Sequence, residues 1–538
     1  MKPLQRTIEA LSRSHNEAAA PTLMAGLVAG SGPVFDGAIT GLVSRRSKAG
    51  HLEVLRLWDR LMPEQKALVE KGRHKMGGAL REALLEGEYQ LFYNALNFVE
   101  SSGDFDLIPT LVMVAEQPDG ERSHAAIELT AKLVDQLLHW IDNNREPIIG
   151  RDPATIRYCV LESLERSVER FREHRRPELL ESFIVLAGPH SGTLHNVLET
   201  LHHPCHGSIV HTLTHSASDR VLRLLTAMLE GKEAPQVIRN VISKRSDRPF
   251  VEALLAVSLD PANAPLRRNL ARLRSIACCE DPQTLCVQYS PYQQAAAMHL
   301  LAASGASDEQ KLALAEALLK HGSVDSRIAA CESLRSIGGQ WANRLVLLAL
   351  GDADAAVKAT AISQLRHRRI PGTMAKLMEL VDSPEEMVSS AAREALSEFS
   401  FENFQSRFDL LDDEARREMG TRVAKVDLTA RARLKQELAS PARRSRLRAL
   451  QMAAAMDMFP QLADALVERL EDEDHLVRAA AAEALKHCKP SDVRSGLLAA
   501  MEDKSVAVQN AAKSSLAALG LDSTSRSTTT PMVAEARS

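Results

Sequence analysis

The sequence has few aromatic residues and no long apolar run. Phe, Trp and Tyr make up 4% of its 538 residues, which disfavours sandwiches and barrels because strands are rich in aromatic and β-branched side chains. The most apolar stretch near the N-terminus, residues 18–43, is interrupted by Pro21, Pro33, Asp36 and several glycines. A membrane span needs about 20 mostly apolar residues. The composition therefore favours a helical protein with no membrane anchor.

Cysteine is also scarce, and it follows no pattern. The seven cysteines are odd in number and share no regular spacing, so the sequence has no disulfide framework. They are Cys159, Cys205, Cys278, Cys279, Cys286, Cys331 and Cys488. Residues 1–17 lack the apolar core of a secretion signal. These features predict free thiols in the reducing environment of the cytoplasm.

Strong net charge and common catalytic motifs are missing as well. The net charge of -4 gives the chain no global attraction to nucleic acid or membrane. The sequence contains neither a phosphate-binding loop ending in Gly-Lys-Ser or Gly-Lys-Thr nor a His-Glu dipeptide. We therefore expect no cofactor and no catalysis, although the question of an activity in residues 1–290 stays open.

A short phrase that recurs at a nearly constant interval is the main positive signal. It starts at Ser326, Val357, Val388, Ser445, Val477 and Val508, with sequence steps of 31, 31, 57, 32 and 31. Counting the start as zero, position four is alanine in all six phrases, at 330, 361, 392, 449, 481 and 512, and position eight is leucine in five. Positions zero, four and eight share one face of an α-helix. Each phrase therefore predicts a helix with one buried stripe.

The residues around each phrase complete a repeating unit. Acidic or polar turns precede four of the phrases, at 351–354, 382–386, 471–474 and 502–505, and their Asp or Ser side chains are suited to cap the following helix. Before the turn lies another apolar run, such as 345–350 or 462–470. One unit is therefore a helix pair that cannot bury its apolar face alone, and neighbouring units must stack.

The repeat divides the chain into three predicted regions. Residues 291–520 form the repeat domain, with two eroded units starting at Gln293 and Ala415 and an irregular unit near 399–444, where four phenylalanines should pack the junction. Residues 1–290 are expected to be helical, because apolar residues recur there at three- and four-residue spacing, and to form either a degenerate continuation of the repeat or a separate helical domain. Residues 521–538, rich in Ser and Thr, predict a disordered tail.

The phrase resembles the HEAT repeat, in particular its short bacterial form of about 30 residues, which is also found in bilin lyases. The shared pattern is an acidic turn, Val-Arg or Val-Lys, alanines and then leucine. The resemblance implies an all-α fold, an α-solenoid in which helix pairs build a right-handed superhelix, and a role in binding other proteins. Family members often have a basic residue one step into the second helix. Arg327, Lys358, Arg446 and Arg478 fit this pattern, whereas Ser389 and Gln509 depart from it.

These observations predict a non-catalytic scaffold or adaptor that binds an acidic or extended segment of another protein in its inner groove. The predicted partner-binding residues are Arg327, Lys358, Arg446, Arg478 and Gln509. The bilin-lyase and iron-dependent hydroxylase functions known among HEAT-like proteins have little support, because the chain shows neither a chromophore pocket nor a His-Glu dipeptide.

Nucleic-acid binding is an alternative, since DNA glycosylases built of HEAT-like repeats grip phosphates with basic side chains. The candidate residues form one basic run, Arg431, Arg433, Lys435, Arg443, Arg444 and Arg448. Binding of this kind would be salt-sensitive and indifferent to sequence. Solubilising surface charge is the plainer interpretation of the same residues.

A metal-dependent enzyme or sensor is a second alternative, suggested by seven histidines between 190 and 215. His202 and His206, like His211 and His215, are four positions apart, a spacing at which two imidazoles on a helix can share a metal ion. However, Pro204 and Gly207 interrupt the helix that the first pair would need. We therefore predict surface histidines without a bound metal ion.

Overall fold

The computed structural model describes residues 3–29, 32–118, 120–143, 152–257 and 263–521. These residues form 34 α-helices and ten short 3-10 helices, and they contain no strand. None of the helices in these ranges combines the length and the apolar character that a bilayer crossing requires. The predicted tail, residues 521–538, falls outside the description except for its first residue.

The chain divides into two compact units, unit 1 (residues 1–311) and unit 2 (residues 312–538). The helices from the N-terminus to Ala303 are α1 Pro3–Arg13, α2 Ala19–Gly26, α3 Gly32–Ser44, α4 Lys48–Arg56, α5 Pro63–Lys71, α6 Gly77–Glu86, α7 Tyr89–Ser102, α8 Ile108–Ala115, α9 Glu121–Asn143, α10 Pro153–Glu169, α11 Phe171–His174, α12 Glu178–Ala187, α13 Gly192–Glu199, α14 His206–His215, α15 Asp219–Glu230, α16 Gln236–Lys244, α17 Arg248–Leu255, α18 Ala264–Leu270, α19 Pro282–Gln288 and α20 Pro291–Ala303. The remaining helices are α21 Asp308–His321, α22 Val324–Ser333, α23 Gly339–Leu350, α24 Ala355–Arg368, α25 Thr373–Leu380, α26 Glu386–Ala395, α27 Phe401–Arg407, α28 Asp413–Val426, α29 Ala430–Leu438, α30 Arg443–Ala455, α31 Ala463–Glu468, α32 His475–Ala484, α33 Pro490–Ala500 and α34 Val506–Ala518. The border between the units lies inside α21, whereas the sequence-based limits of 290 and 520 remain predictions.

Unit 1 is built from stacked helices although its sequence shows no clear repeat. Every second helix from α4 to α16 packs on the next one in the series. Basic side chains connect these layers by donating hydrogen bonds to a carbonyl at the end of a helix 29 to 35 residues away. The bonds are Arg45 to Leu11 O (2.6 Å), Lys75 to Ser44 O (2.6 Å), Arg122 to Gly87 O (2.9 Å), Arg157 to Leu186 O (2.6 Å) and Arg245 to Leu213 O (2.7 Å). The number of residues between successive layers of unit 1 is therefore close to the repeat length of unit 2.

Unit 2 confirms the predicted helix pairs. Each phrase forms the second helix of a pair, and these second helices stack in the series α22, α24, α26 and in the series α28, α30, α32, α34. The alanine at position four is 0% exposed in all six phrases, and position eight is buried in all six. An all-α solenoid of helix pairs is therefore the architecture, and the alanines set the close approach between successive second helices.

Two of the four turns predicted to cap a second helix do so, whereas Glu385 and Ser505, at the corresponding positions of the other two, make no side-chain cap bond. Asp354 accepts a hydrogen bond from the Ala356 N–H at 2.9 Å, and Asp474 accepts one from the Leu476 N–H at the same distance. A carboxylate at this position satisfies an N–H group that the helix leaves free, and it complements the positive end of the helix dipole.

The irregular stretch in the middle of unit 2 is filled by aromatic residues and by one more helix pair. The four phenylalanines are Phe399, Phe401, Phe404 and Phe408, all buried, as expected for residues that pack a junction. The eroded unit predicted to start at Ala415 is present as α28, but its closest contact is one place later than expected. A Cβ atom at Gly420 would lie 2.4 Å from Ala455 O. Glycine thus takes the part that alanine has in the other repeats.

A larger residue at position four should disturb the stacking. Ala449→Leu adds three carbon atoms to a site with no exposed surface on α30, and overpacking of this kind typically costs about 1–3 kcal/mol. We expect a lower urea midpoint, followed by circular dichroism. Ala454→Leu, on the exposed side of the same helix, is the matched control and should leave the midpoint unchanged. Equal midpoints for the two variants would contradict the assigned contact face.

Candidate partner-binding surface

The predicted partner-binding cations all lie in the first turn of a second helix, where each is ion-paired with the next repeat. Arg327 on α22 makes a two-pronged contact with Asp352, with Nε 2.8 Å from Oδ2 and Nη2 3.0 Å from Oδ1. Lys358 on α24 donates to both carboxylate oxygens of Glu385 at 2.9 Å. A cation in one repeat therefore holds the acidic turn of its neighbour.

The same arrangement occurs near the C-terminal end of unit 2. Arg446 on α30 lies 2.8 Å from Asp472, and these two side chains are only 5% and 3% exposed. Arg478 on α32 pairs with Asp503 at 2.7 and 3.0 Å. We call the four pairs, Arg327–Asp352, Lys358–Glu385, Arg446–Asp472 and Arg478–Asp503, the inter-repeat clasps.

Gln509 on α34, the fifth predicted residue, makes a related but purely local bond. Its side-chain N–H donates to the Asp503 carbonyl at 2.7 Å. Gln509 therefore steadies the turn that Arg478 grips, although it reaches no further repeat.

Three of the clasp carboxylates are positioned by their own turns. The backbone N–H two residues further on donates to Asp352 at 2.8 Å, to Asp472 at 3.0 Å and to Asp503 at 2.7 Å. Asp and Asn commonly fold a turn around such a bond. The hydrogen bond from Arg478 is the main reason that the pKa of Asp503 lies below its usual value. At Asp352, burial opposes ionisation, but the bonds from Arg327 and the turn outweigh it and lower the pKa.

These four cations were identified from the sequence, but their carboxylate partners within the chain were not. The role of the cations as partner ligands stays a prediction, and a partner carboxylate would first have to displace one within the chain. The signal was available, because each cation is followed, after nearly the length of one repeat, by a carboxylate in the acidic turn of the next unit. A search for a carboxylate 25 to 27 residues after each basic position would have identified the pairs.

Four residues of the basic run considered for nucleic-acid binding form ion pairs within unit 2. Arg433 pairs with Glu402 at 2.5 Å, Lys435 with Asp464, Arg443 with Asp474 at 3.0 Å, and Arg448 with Asp409 at 3.5 Å. The other two residues, Arg431 and Arg444, are exposed. Nucleic-acid binding by this run remains a prediction, because exposed ion pairs of this kind contribute little and compete weakly with a partner.

The histidine cluster does not assemble around one point. His211 and His215 lie together on α14 with ring centroids 4.3 Å apart, and His215 Nδ1 is 3.0 Å from the His211 carbonyl. His206 Nδ1 is bonded instead to Val197 O at 2.9 Å, and His202 is exposed in the turn before α14. Across the described part of the chain, no group of three or more His, Cys, Asp or Glu residues could hold a metal ion.

One row of side chains in unit 2 is exposed in every phrase. Position six of the phrase is exposed in all six copies, between the buried positions four and eight. We call these residues the position-six row: Glu332, Ser363, Glu394, Gln451, Glu483 and Ser514. Because the second helices stack within each series, the row has two parts, one on α22, α24 and α26 and one on α30, α32 and α34, and each part presents polar side chains at regular intervals.

Comparison with known proteins agrees with the repeat architecture. Residues 431–524 match the family model for HEAT repeats. No curated protein matches the chain.

Several solved structures are similar over most of the chain at low identity. Kap121p aligns over 96% of this chain and 69% of its own length, with 12% identity and a TM-score of 0.26. Kap121p bound to Ste12p gives 96%, 64%, 14% and 0.28 for the same quantities. UNC-45 from Drosophila melanogaster gives 96%, 82%, 10% and 0.22. TM-scores this low do not establish a shared fold, so the architecture rests on the helix pairing and the HEAT match.

Removing the cation of the most buried clasp should destabilise unit 2. Arg446→Met leaves the Asp472 carboxylate buried without its counter-ion, and we expect a loss of about 3 kcal/mol in unfolding free energy, because an unpaired buried charge is costly. Arg444→Met removes an exposed cation from the same helix and should change stability by less than about 0.5 kcal/mol. The measurement is urea unfolding of each variant. A penalty for Arg446→Met no larger than that of its control would show that the clasp contributes little.

The Arg478–Asp503 clasp should make stability depend on pH in the acidic range. The Asp503 pKa is depressed in the folded protein, so the clasp contributes fully above the ordinary Asp pKa of about 3.9. Its contribution is lost as pH falls through the lower folded value. The penalty of Arg478→Met should therefore be largest at neutral pH and should shrink at acidic pH in thermal melts. Lys513→Met, an exposed site on α34, should give a small penalty that is independent of pH. A constant penalty for Arg478→Met would contradict this account.

Proposed function

We propose that unit 2 is a non-catalytic protein-interaction scaffold that binds an extended segment of another protein along its second helices. The observation that carries the proposal is the position-six row, which is exposed in all six phrases while positions four and eight are buried. A regular row on stacked helices suits a partner that makes many similar contacts, since each repeat offers one contact to the same bound segment.

The chemistry of the row indicates what the partner segment carries. Glu332, Glu394 and Glu483 alternate with Ser and Gln residues, and the row contains no basic or bulky side chain. Glu483 is 3.3 Å from Lys486, but an exposed pair of this kind contributes little and competes weakly with a partner. We infer that the segment is extended and presents lysine, arginine or other hydrogen-bond donors to these carboxylates.

This proposal keeps the extended partner expected from the sequence and changes its charge. The cations expected to meet an acidic partner, Arg327, Lys358, Arg446 and Arg478, are engaged in the inter-repeat clasps. Replacing them would change stability together with binding. The position-six residues have no such structural duty, so they are better suited to recognition and to mutation.

Charge reversal along the row should abolish binding. In the triple variant Glu332→Lys, Glu394→Lys, Glu483→Lys, lysines face the donors of the partner, and like-charge repulsion opposes the complex. The experiment is affinity capture of the tagged full chain from a cell lysate of its own source, after nuclease treatment, with bound proteins quantified by mass spectrometry. We expect one or more stoichiometric proteins to be at least tenfold depleted in the triple variant.

The matched control carries the same charge change on the first helices. Glu309→Lys, Glu379→Lys and Asp492→Lys alter exposed residues of α21, α25 and α33 and should leave capture unchanged. If both triple variants retained the same proteins, the position-six row would not be the binding surface. If the wild type captured nucleic acid, and its proteins were lost on nuclease treatment, the basic run would become the better candidate.

A further inference from the structure

Two adjacent thiols in unit 1 have no part in the proposed scaffold. Cys278 and Cys279 lie in a short 3-10 helix, Ala277–Cys279, between α18 and α19. Their Sγ atoms are 3.9 Å apart, Cys278 is half-buried and Cys279 is buried. Both are free thiols, as are the other five cysteines.

The geometry disfavours a disulfide between them and favours a bridging atom. Adjacent Cα atoms are about 3.8 Å apart, which is less than the roughly 4.4–6.8 Å found across disulfides, so a direct S–S bond would be strained. An atom about 2.3 Å from each sulfur, a typical bond length to thiolate, can bridge the two sulfurs, which are 3.9 Å apart, once a small side-chain rotation brings them closer. An ion that prefers linear coordination would need sulfurs about 4.6 Å apart, twice that bond length.

The number of protein ligands at this site also limits which element the two thiols can bind. No third His, Cys, Asp or Glu joins this pair to form a metal-binding group within the described residues, whereas structural zinc takes four protein ligands. Trivalent arsenic differs from zinc in that it binds thiolates in a bent, pyramidal arrangement, and its third position can be filled by hydroxide. Two adjacent thiols therefore suffice for it.

We propose that Cys278 and Cys279 form a dithiol site that binds trivalent arsenic compounds. Arsenous acid, As(OH)3, reacts with the two thiols to give a cyclic dithioarsenite that keeps one hydroxide. Two As–S bonds form, two As–O bonds break, and the two thiol protons leave in two molecules of water. No electron is transferred, so the reaction needs no oxidant or reductant.

The surroundings of the two thiols favour a reaction in which Cys278 attacks arsenic before Cys279. The hydrogen bond between the two sulfurs is the main reason that the Cys278 pKa is lowered. A lower pKa raises the fraction of thiolate, the reactive form. Burial instead raises the pKa of Cys205 and of Cys331 to about 12. The more accessible Cys278 therefore attacks first, and Cys279 closes the ring.

The test uses phenylarsine oxide, which forms stable rings only with paired thiols. The full chain is incubated with one equivalent of the reagent in a large excess of glutathione, and the adduct is followed by intact mass spectrometry. We expect the wild type to retain one arsenical and to lose it on addition of 2,3-dimercaptopropanol. Cys278→Ser should abolish the glutathione-resistant adduct, at least a tenfold loss of occupancy.

Two control variants and one folding measurement make the outcome decisive. Cys286→Ser and Cys159→Ser remove a neighbouring and an exposed cysteine and should retain the full adduct. Cys278 is only half-buried, so its serine variant should melt at the wild-type temperature, and the test does not depend on replacing the buried Cys279. The proposal is overturned if the wild type holds no adduct, if Cys278→Ser keeps it, or if Cys286→Ser loses it.

Discussion

The structure of unit 2 depends above all on the packing of each repeat against the next, and the inter-repeat clasps determine how neighbouring repeats are oriented. Burial of the apolar stripe drives stacking, but the hydrophobic effect is non-directional and by itself permits neighbouring helices to slide. A two-pronged arginine–carboxylate contact, as in Arg327–Asp352 or Arg478–Asp503, is satisfied in one geometry only. The alanine at position four allows the close approach, and the clasp fixes the register.

Unit 1 meets the same constraint with different acceptors. Arg157 and Arg245 donate hydrogen bonds to carbonyls at helix ends one layer away. Two buried asparagines form hydrogen bonds of the same kind. Asn94 donates to Leu55 O at 3.0 Å, and Asn269 donates to Leu229 O at 2.8 Å. A backbone carbonyl is available at the end of every helix, whatever the side chain. Unit 1 therefore needs no acidic residue at a fixed spacing, and its layers leave no clear repeat in the sequence.

The sequence predicted the features of unit 2 that depend on local spacing, but not the contacts between one repeat and the next. Helical periodicity identified the phrases of unit 2, their buried alanines and the phenylalanine-filled junction, because these features follow from local spacing. The sequence predicted the close contact of α28 at Met419, but the structure has it at Gly420. Glycine permits the close approach as well as alanine does. The basic residues were identified, but their engagement was not. A charge on its own does not reveal whether a carboxylate one repeat away neutralises it.

The proposed recognition by unit 2 uses positions that stacking leaves unconstrained. Positions four and eight are buried in all six phrases, and the first turn of four second helices carries a clasp cation, so we expect changes there to disturb the neighbouring repeat. Position six touches solvent in every phrase, and it is also where the repeats differ, with Glu, Ser, Glu, Gln, Glu and Ser in succession. If each repeat contributes one contact, this order of side chains along the row determines which extended segment fits. Affinity and specificity can then change through position six without a cost to the fold.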